Sequence, residues 1–165
     1  DAPAQAQTAK AARDRRATRS ILESRRASPR SLKPEPPLPS VAGSRVEWAL
    51  SEEVLGLASQ RSGLLASRDF RVAGALCQLK FFPQGSLKKN KDGFCSLYLM
   101  AMEPCVIKFK LFAGSYETPF MTCEYDCKRD QGRNDLCRLD SVLGADGGIV
   151  VGAEVAEVAP YVEKA

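Results

Sequence analysis

Cysteine is the residue type in this sequence with the most evident chemistry. The chain has 165 residues, six cysteines and no histidine, which excludes Ser-His-Asp and Cys-His nucleophile systems and histidine-containing zinc sites. Cys123 and Cys127, with Cys137 nearby, form the only cluster, and no Cys-x-x-Cys pair occurs. On one strand, positions 123 and 127 share a face but lie ~13 Å apart, too far to share a metal ion. We therefore expect no catalytic residue, no metal site and no cofactor.

The other cysteines fit a structural role. Cys77 and Cys95 each alternate with apolar residues along a predicted strand, so we interpret both as small core residues with reduced thiols. In an oxidising compartment, a disulfide from Cys137 to either Cys127 or Cys123 is the alternative.

The basic character of the protein lies in its N-terminal forty residues. Residues 1–40 hold nine Lys or Arg and four Asp or Glu, a net charge of +5, whereas the whole chain carries +4. Six of the ten prolines are also here, and no aromatic residue is. Such a segment buries too little apolar surface to fold alone. We predict an extended arm, with helical character in residues 8–26 and a polyproline-II spacer in residues 29–39.

Arginine is the feature of this arm that could contact a partner. A guanidinium forms bidentate contacts with carboxylates and phosphates, so the same residues would suit an acidic protein surface or a nucleic acid. The candidate docking residues are Arg13, Arg15, Arg16, Arg19, Arg25, Arg26 and Arg30.

The rest of the chain shows the two-residue period of β-strands. Val46, Trp48 and Leu50 alternate with charged or small residues, and further apolar runs follow at intervals of about 10–15 residues. The exception is residues 51–59, whose Ser-Glu-Glu opening predicts an N-capped short helix or turn. This pattern predicts an antiparallel all-β sandwich. The apolar runs cover residues 70–82, 95–101, 106–112, 120–127, 136–142 and 149–158.

Several of these runs, taken in order, resemble the motifs of the MATH (meprin and TRAF homology) domain. The resemblance implies an eight-stranded antiparallel β-sandwich of the TRAF-like kind, preceded here by the partly helical arm. It divides the chain into an arm and linker (1–45), a MATH-like sandwich (46–158) and a C-terminal tail (159–165). The matching blocks are Ser-Arg-Asp-Phe-Arg-Val-Ala-Gly at 67–74, Leu-Lys-Phe-Phe-Pro-Gln-Gly at 79–85, Cys-Ser-Leu-Tyr-Leu at 95–99, Val-Ile-Lys-Phe-Lys-Leu-Phe at 106–112 and Gly-Ile-Val-Val-Gly-Ala-Glu-Val at 148–155.

The resemblance also implies a non-enzymatic function. Members of the family bind short extended peptides along a sheet edge or a shallow groove. In the ubiquitin-ligase adaptors of the family, aromatic residues line that groove, and Tyr98, Phe109 and Tyr125 match such positions. Asn134 and Leu136 fall where the family has a Trp-Gly-Phe stretch, so two aromatic residues are replaced. This replacement favours a structural use of the fold over peptide capture.

Strand alternation gives a separate expectation for two of these residues. Tyr98 shares its parity with Ser96 and Met100, which places it on an outer sheet surface, either lining a groove or packing against the sheet. Phe109 shares its parity with Ile107 and Leu111, which favours the core over a groove.

These observations lead to one main hypothesis and two alternatives. We expect a non-catalytic accessory or scaffold subunit of a large assembly, docking through its arm and its sandwich surface. The alternatives are an adaptor that binds linear peptides and an RNA-associated (ribosomal) protein that uses the basic arm. No apolar run approaches the ~18–20 residues that a membrane-spanning helix needs. The Ala- and Arg-rich, acid-poor start favours a plastid or mitochondrion over the cytosol.

Overall fold

The computed structural model describes residues 36–59, 63–86, 90–127 and 129–164. The predicted arm helix and the seven candidate docking arginines lie outside these residues. The described part contains eleven strands, one α-helix and a short 3-10 helix at Leu139–Ser141, and none of its helices has the length and apolar character needed to cross a membrane. The helix α1 is Glu52–Ser59, and the strands are β1 Ser40–Ala42, β2 Arg45–Leu50, β3 Leu65–Ala66, β4 Phe70–Val72, β5 Ala75–Phe82, β6 Phe94–Ala101, β7 Cys105–Ala113, β8 Tyr116–Glu117, β9 Met121–Tyr125, β10 Arg129–Arg138 and β11 Ile149–Pro160.

The strands form two antiparallel sheets, which confirms the predicted all-β fold class. The six-stranded sheet has the order β1-β2-β11-β7, and both β8 and β9 pair with β7. The five-stranded sheet has the order β10-β6-β5, and both β3 and β4 pair with β5. Every pairing between neighbours is antiparallel, both between consecutive strands and between strands far apart in the chain, such as β2 and β11.

One hydrophobic core draws on both sheets. Alternate residues of β2, β7 and β11 on one side, and of β5 and β6 on the other, belong to the same buried cluster. The phenol of Tyr125 in β9 crosses between the sheets and donates a hydrogen bond of 2.9 Å to the carbonyl oxygen of Leu99 in β6. The two-residue period of these strands therefore places one face of each sheet in a common core.

The predicted helix at the end of β2 is confirmed. The hydroxyl of Ser51 accepts a hydrogen bond of 3.3 Å from the backbone N–H of Val54, and the Ser51 carbonyl accepts one of 3.0 Å from Leu55. This is the geometry of an N-cap, and two glutamates follow in the first turn, where the helix dipole favours negative charge.

The strand count differs from the eight that the family resemblance implies. Four of the eleven strands have only two or three residues, too few to show an alternating pattern. The ten-residue β10 was also missed over most of its length, because residues 129–135 are almost entirely polar. It lies at the edge of the five-stranded sheet and pairs only with β6, so it has little apolar surface to bury. The run predicted at 136–142 is the end of β10 followed by the 3-10 helix.

Candidate functional site

Two of the five predicted peptide-binding residues, Tyr98 and Asn134, are hydrogen-bonded to each other. Tyr98 lies on the outer face of β6, half-buried, with its ring edge-on to Phe82 at a centroid distance of 5.8 Å. Its hydroxyl donates to Oδ1 of Asn134 and lies 2.6 Å from Oγ of Ser86. The phenol is therefore held at a fixed position between a loop and an edge strand.

A bulge in β10 brings Asn134 to this position. Arg133 pairs with Leu97 and Cys137 pairs with Cys95, so three residues of β10 lie opposite a single residue of β6. A β-bulge of this kind bends its strand and redirects the side chains it contains. Two residues are therefore inserted relative to a regular ladder, and Asn134 and Asp135 reach toward the loop that precedes β6.

Side chains of that loop and of β6 form hydrogen bonds with the backbone of the bulge. The hydroxyl of Ser96 and the side-chain amide of Asn90 both donate to the carbonyl oxygen of Asn134. The side-chain amide of Asn90 also donates to Oγ of Ser96 over 3.1 Å, and the carboxylate of Asp135 accepts the backbone N–H of Lys91 over 3.1 Å. We call Ser86, Asn90, Ser96, Tyr98 and Asn134 the bulge network. Sequence reasoning missed its serines and Asn90, since nothing in the order of residues indicates which loop covers a bulge.

The other three predicted peptide-binding residues lie in the core. Phe109 and Tyr125 are fully buried and Leu136 is 3% exposed. Their assignment to a groove is therefore corrected: Phe109 points inward from β7 as its alternation predicted, and Tyr125 points inward from the end of β9. Burial raises the pKa of the Tyr125 phenol, which remains neutral and bonded to Leu99.

The outer face of the six-stranded sheet carries a network of ion pairs. Arg45 contacts Glu47 at 3.0 Å and Glu154 at 3.3 Å, and Lys110 contacts Glu117 at 3.1 Å and Glu154 at 3.4 Å. The hydrogen bond from Lys110 to Glu117 raises the pKa of the lysine. The guanidinium of Arg45 also lies 3.9 Å from the centroid of the Phe112 ring. The Phe112 ring lies on this outer face of the sheet.

Exposed apolar side chains accompany this charged network. Phe120, in the connection between β8 and β9, is 45% exposed, and the ammonium of Lys110 lies 5.3 Å from its ring centroid. Every large apolar residue that is exposed in the described ranges lies in the six-stranded sheet, in its connections or in the segments that flank it. These residues are Leu38, Val41, Tyr116, Phe120, Val150 and Val162. The alternation analysis did not find them because turns and strand ends do not follow the two-residue period.

The segment that leads from the arm into the domain is fixed by Trp48. The indole N–H donates a hydrogen bond of 2.7 Å to the carbonyl oxygen of Pro37, and the ring itself is fully buried. A buried indole N–H needs such a partner. This hydrogen bond therefore ties Pro37, just before β1 begins, to the core residue Trp48.

A cavity of about 290 Å³ lies at the end of the molecule where two strand turns meet the end of β11. Residues 74–76, 103–105 and 158–160 line it. Its one acidic side chain is Glu103, and most of its lining is apolar. In the described ranges, no group of three or more Cys, Asp and Glu residues lies close enough together to hold a metal ion.

All six thiols are free, and their surroundings differ. Cys77 and Cys95 are fully buried, which confirms the core role predicted for them. Burial raises the pKa of the Cys77 thiol to about 12. Cys137 does not face Cys123 or Cys127, the partners considered from the sequence; its sulfur lies 3.8 Å from the sulfur of Cys95.

Comparison with known proteins does not assign this chain to a family. No model of a known protein family matches the chain, and a search of curated proteins finds no relative.

Proposed function

We propose that this chain is a non-catalytic scaffold subunit of a multi-subunit assembly, and that it docks through the outer face and flanks of the six-stranded sheet. The observation that carries the proposal is the distribution of exposed apolar side chains. All six large ones in the described ranges belong to that sheet, its connections or its flanking segments. Exposed apolar side chains framed by charged ones are typical of protein–protein interfaces.

Phe120 is the best candidate for a central contact. Its ring is 45% exposed, and two lysines, Lys108 and Lys110, place their ammonium groups 6.0 and 5.3 Å from its centroid. An aromatic side chain loses few rotamers on binding and buries a large area, and flanking cations suit an acidic rim on the partner. The predicted arginine arm would add a second contact beyond Pro36.

A MATH-like sandwich is the framework we propose for this docking. Two antiparallel sheets share one core, and the five sequence blocks that resemble the family fall largely on β4–β7 and β11. The extra short strands would then be local additions at the sheet edges.

A peptide adaptor is the second candidate, favoured by the edge strand β10. This strand of ten residues pairs with β6 alone, so its other edge could accept an extended peptide. The bulge network argues against the aromatic groove of the family, because the Tyr98 hydroxyl is already bonded within the chain.

The test compares three full-length variants in a native pull-down followed by mass spectrometry. Phe120→Asp places a charge on the proposed docking face, Arg133→Asp is the matched control on β10, and Tyr98→Ala addresses the peptide adaptor. We expect a defined set of subunits with the unsubstituted chain and with Arg133→Asp and Tyr98→Ala, and its loss with Phe120→Asp. Recovery that survives Phe120→Asp but fails with Tyr98→Ala would refute the scaffold surface and support peptide binding.

A further inference from the structure

Cys95 and Cys137 form a pair of facing thiols within the five-stranded sheet. They are directly opposite each other in the register of β6 and β10, and their sulfurs are 3.8 Å apart. Directly opposed residues of antiparallel strands have Cα atoms about 4.5–5.5 Å apart, inside the ~4.4–6.8 Å range of disulfides. A side-chain rotation at one or both residues is then enough to bring the sulfurs together.

We propose that Cys95 and Cys137 are an oxidation site, which hydrogen peroxide converts to a cross-strand disulfide that ties β10 to β6 at the base of the bulge. The proposal is independent of the docking function. It rests on the register, the sulfur–sulfur distance and the position of Cys137 on an edge strand.

The two thiols differ in a way that sets the order of reaction. Cys95 is fully buried, whereas Cys137 is 7% exposed and lies on the edge strand, where local opening requires the fewest broken contacts. The Cys95 S–H donates to the backbone carbonyl oxygen of Cys137 over 3.4 Å, and the contact between the two thiols lowers the pKa of the Cys137 thiol. Cys137 is therefore the thiolate that meets the oxidant, and Cys95 is the resolving thiol.

The reaction balances with peroxide as the only oxidant. The Cys137 thiolate attacks one peroxide oxygen, the O–O bond breaks, and the hydroxide that leaves takes a proton to become water. The product is a sulfenic acid on Cys137. The Cys95 sulfur then attacks the Cys137 sulfur, the S–O bond breaks, and the hydroxyl group leaves as water with the Cys95 proton. Two thiols and one peroxide thus give one disulfide and two waters.

The disulfide would act on the bulge network next to it. Residues 134–136 lie between Arg133 and Cys137, so a covalent bond at Cys137 fixes one end of the bulge that presents Asn134 to Tyr98. In the reduced protein this end is held by strand pairing, by the packing of Leu136 and Cys137 in the core and by the weak contact between the thiols, none of which is covalent.

The experiment uses the full chain with Cys127→Ser, which removes the most exposed thiol and limits crosslinking between molecules. The protein is treated with dilute peroxide, alkylated, digested and analysed by mass spectrometry. We expect a linked pair of peptides containing Cys95 and Cys137, a loss of two hydrogen atoms from the intact mass, and reversal by dithiothreitol. Cys105, which is 8% exposed, controls for accessibility and should enter no such link.

Two further measurements make the result decisive. The first measurement is amide hydrogen exchange on a chain that retains Cys95 and Cys137. Exchange in residues 134–138 should slow after oxidation. This measurement does not depend on a variant that might misfold. Adding Cys137→Ala to the Cys127→Ser chain should abolish the loss of two hydrogen atoms. Full alkylation of both Cys95 and Cys137 after peroxide treatment, or a linked pair formed by other cysteines instead, would overturn the proposal.

Discussion

The hydroxyl of Tyr98 donates a hydrogen bond to the side-chain oxygen of Asn134, which joins strand β6 to the bulge of strand β10. The contact exists because three residues of β10 occupy the space opposite one residue of β6. An unbulged strand would place residue 134 in direct register with Ser96. The hydrogen bond between Tyr98 and Asn134 therefore depends on the bulge. If this hydrogen bond is removed, we expect the first loss of stability at this edge of the five-stranded sheet.

Tyr98→Phe tests the contribution of this hydrogen bond. The substitution removes the hydroxyl that contacts Asn134 and Ser86 but retains the ring that packs against Phe82. We expect the free energy of unfolding to fall by about 0.5–1.5 kcal/mol, the usual net value of a hydrogen bond. Denaturation by urea would measure it. Tyr116→Phe is the control, because Tyr116 is 39% exposed and its change should have almost no effect; equal losses for the two variants would contradict the importance of the bulge network.

At neutral pH, Tyr125→Phe should lower the free energy of unfolding more than Tyr98→Phe does. It should also change the stability of the protein at alkaline pH. The buried hydroxyl of Tyr125 satisfies the Leu99 carbonyl, so its removal should lower the free energy of unfolding by about 1–2 kcal/mol. Burial raises the pKa of the phenol above its usual 10.0. The folded state therefore holds this proton more tightly than the unfolded state, and the associated stability is complete below pH 10 and is lost as the pH rises toward the raised pKa.

Thermal or urea unfolding between pH 9 and 11 would detect this linkage. Above pH 10 the unsubstituted protein should lose up to about 1.4 kcal/mol per pH unit more than Tyr125→Phe. The cysteines also add to the pH dependence here, because burial raises the pKa of thiols such as Cys77 above their unfolded value, but they are common to both proteins. Parallel pH profiles would show that the phenol is not shielded in the folded state.

Gly152→Ala tests the close approach of β11 to its neighbours on the outer face of the six-stranded sheet. A Cβ atom at 152 would lie 2.6 Å from a ring atom of Phe112 and would also overlap the backbone oxygen of Val46. Because Phe112 is held beneath Arg45, we expect a loss of about 1–3 kcal/mol from overpacking.

Gly56→Ala is the matched control for this change. Gly56 lies in the exposed face of α1, and a Cβ atom there meets no atom within 4 Å. Alanine has the higher helix propensity, so this variant should gain about 0.5–1 kcal/mol. Urea unfolding of both proteins measures the difference; a stable Gly152→Ala protein would show that both the Phe112 ring and the backbone at Val46 can move aside.

Trp48→Phe should loosen the segment that precedes β1. The indole N–H is the donor to the Pro37 carbonyl, and phenylalanine cannot replace it. We expect faster amide exchange at Ser40–Ala42, because β1 has only three residues and all are exposed. Phe109→Leu is a control for general destabilisation of the core, since Phe109 lies on β7 away from this edge. Equal exchange at β1 in the two variants would rule out a specific anchor at Trp48.

The buried residues of the main strands could be predicted from the sequence because strand alternation is a local property. Trp48, Cys77 and Phe109 each share a parity with apolar neighbours, and each is fully buried as that parity indicates. Tyr98, of opposite parity to Leu97 and Leu99, lies on the outer face. The capped helix after β2 was predicted on the same local grounds, from a serine followed by two glutamates.

The facing thiols and the bulge network could not be predicted in this way. Cys95 and Cys137 are 42 residues apart, and their contact depends on the register between β6 and β10. A bulge changes that register by an amount that no pattern within either strand specifies. The same uncertainty is why the alternative considered from the sequence, a disulfide, joined Cys137 to Cys123 or Cys127 and not to Cys95.

By itself, the sequence determined the all-β class, the buried face of the main strands and the capped helix, because these depend on residue spacing along a few consecutive positions. Only the tertiary structure decided that Tyr98 contacts Asn134, that Cys95 faces Cys137, and that the large exposed apolar residues of the described ranges belong to the six-stranded sheet, its connections or its flanking segments. Those relationships depend on strand order and on pairing between residues far apart in the chain. The free energy that selects them comes from packing the whole domain, so no local pattern records it.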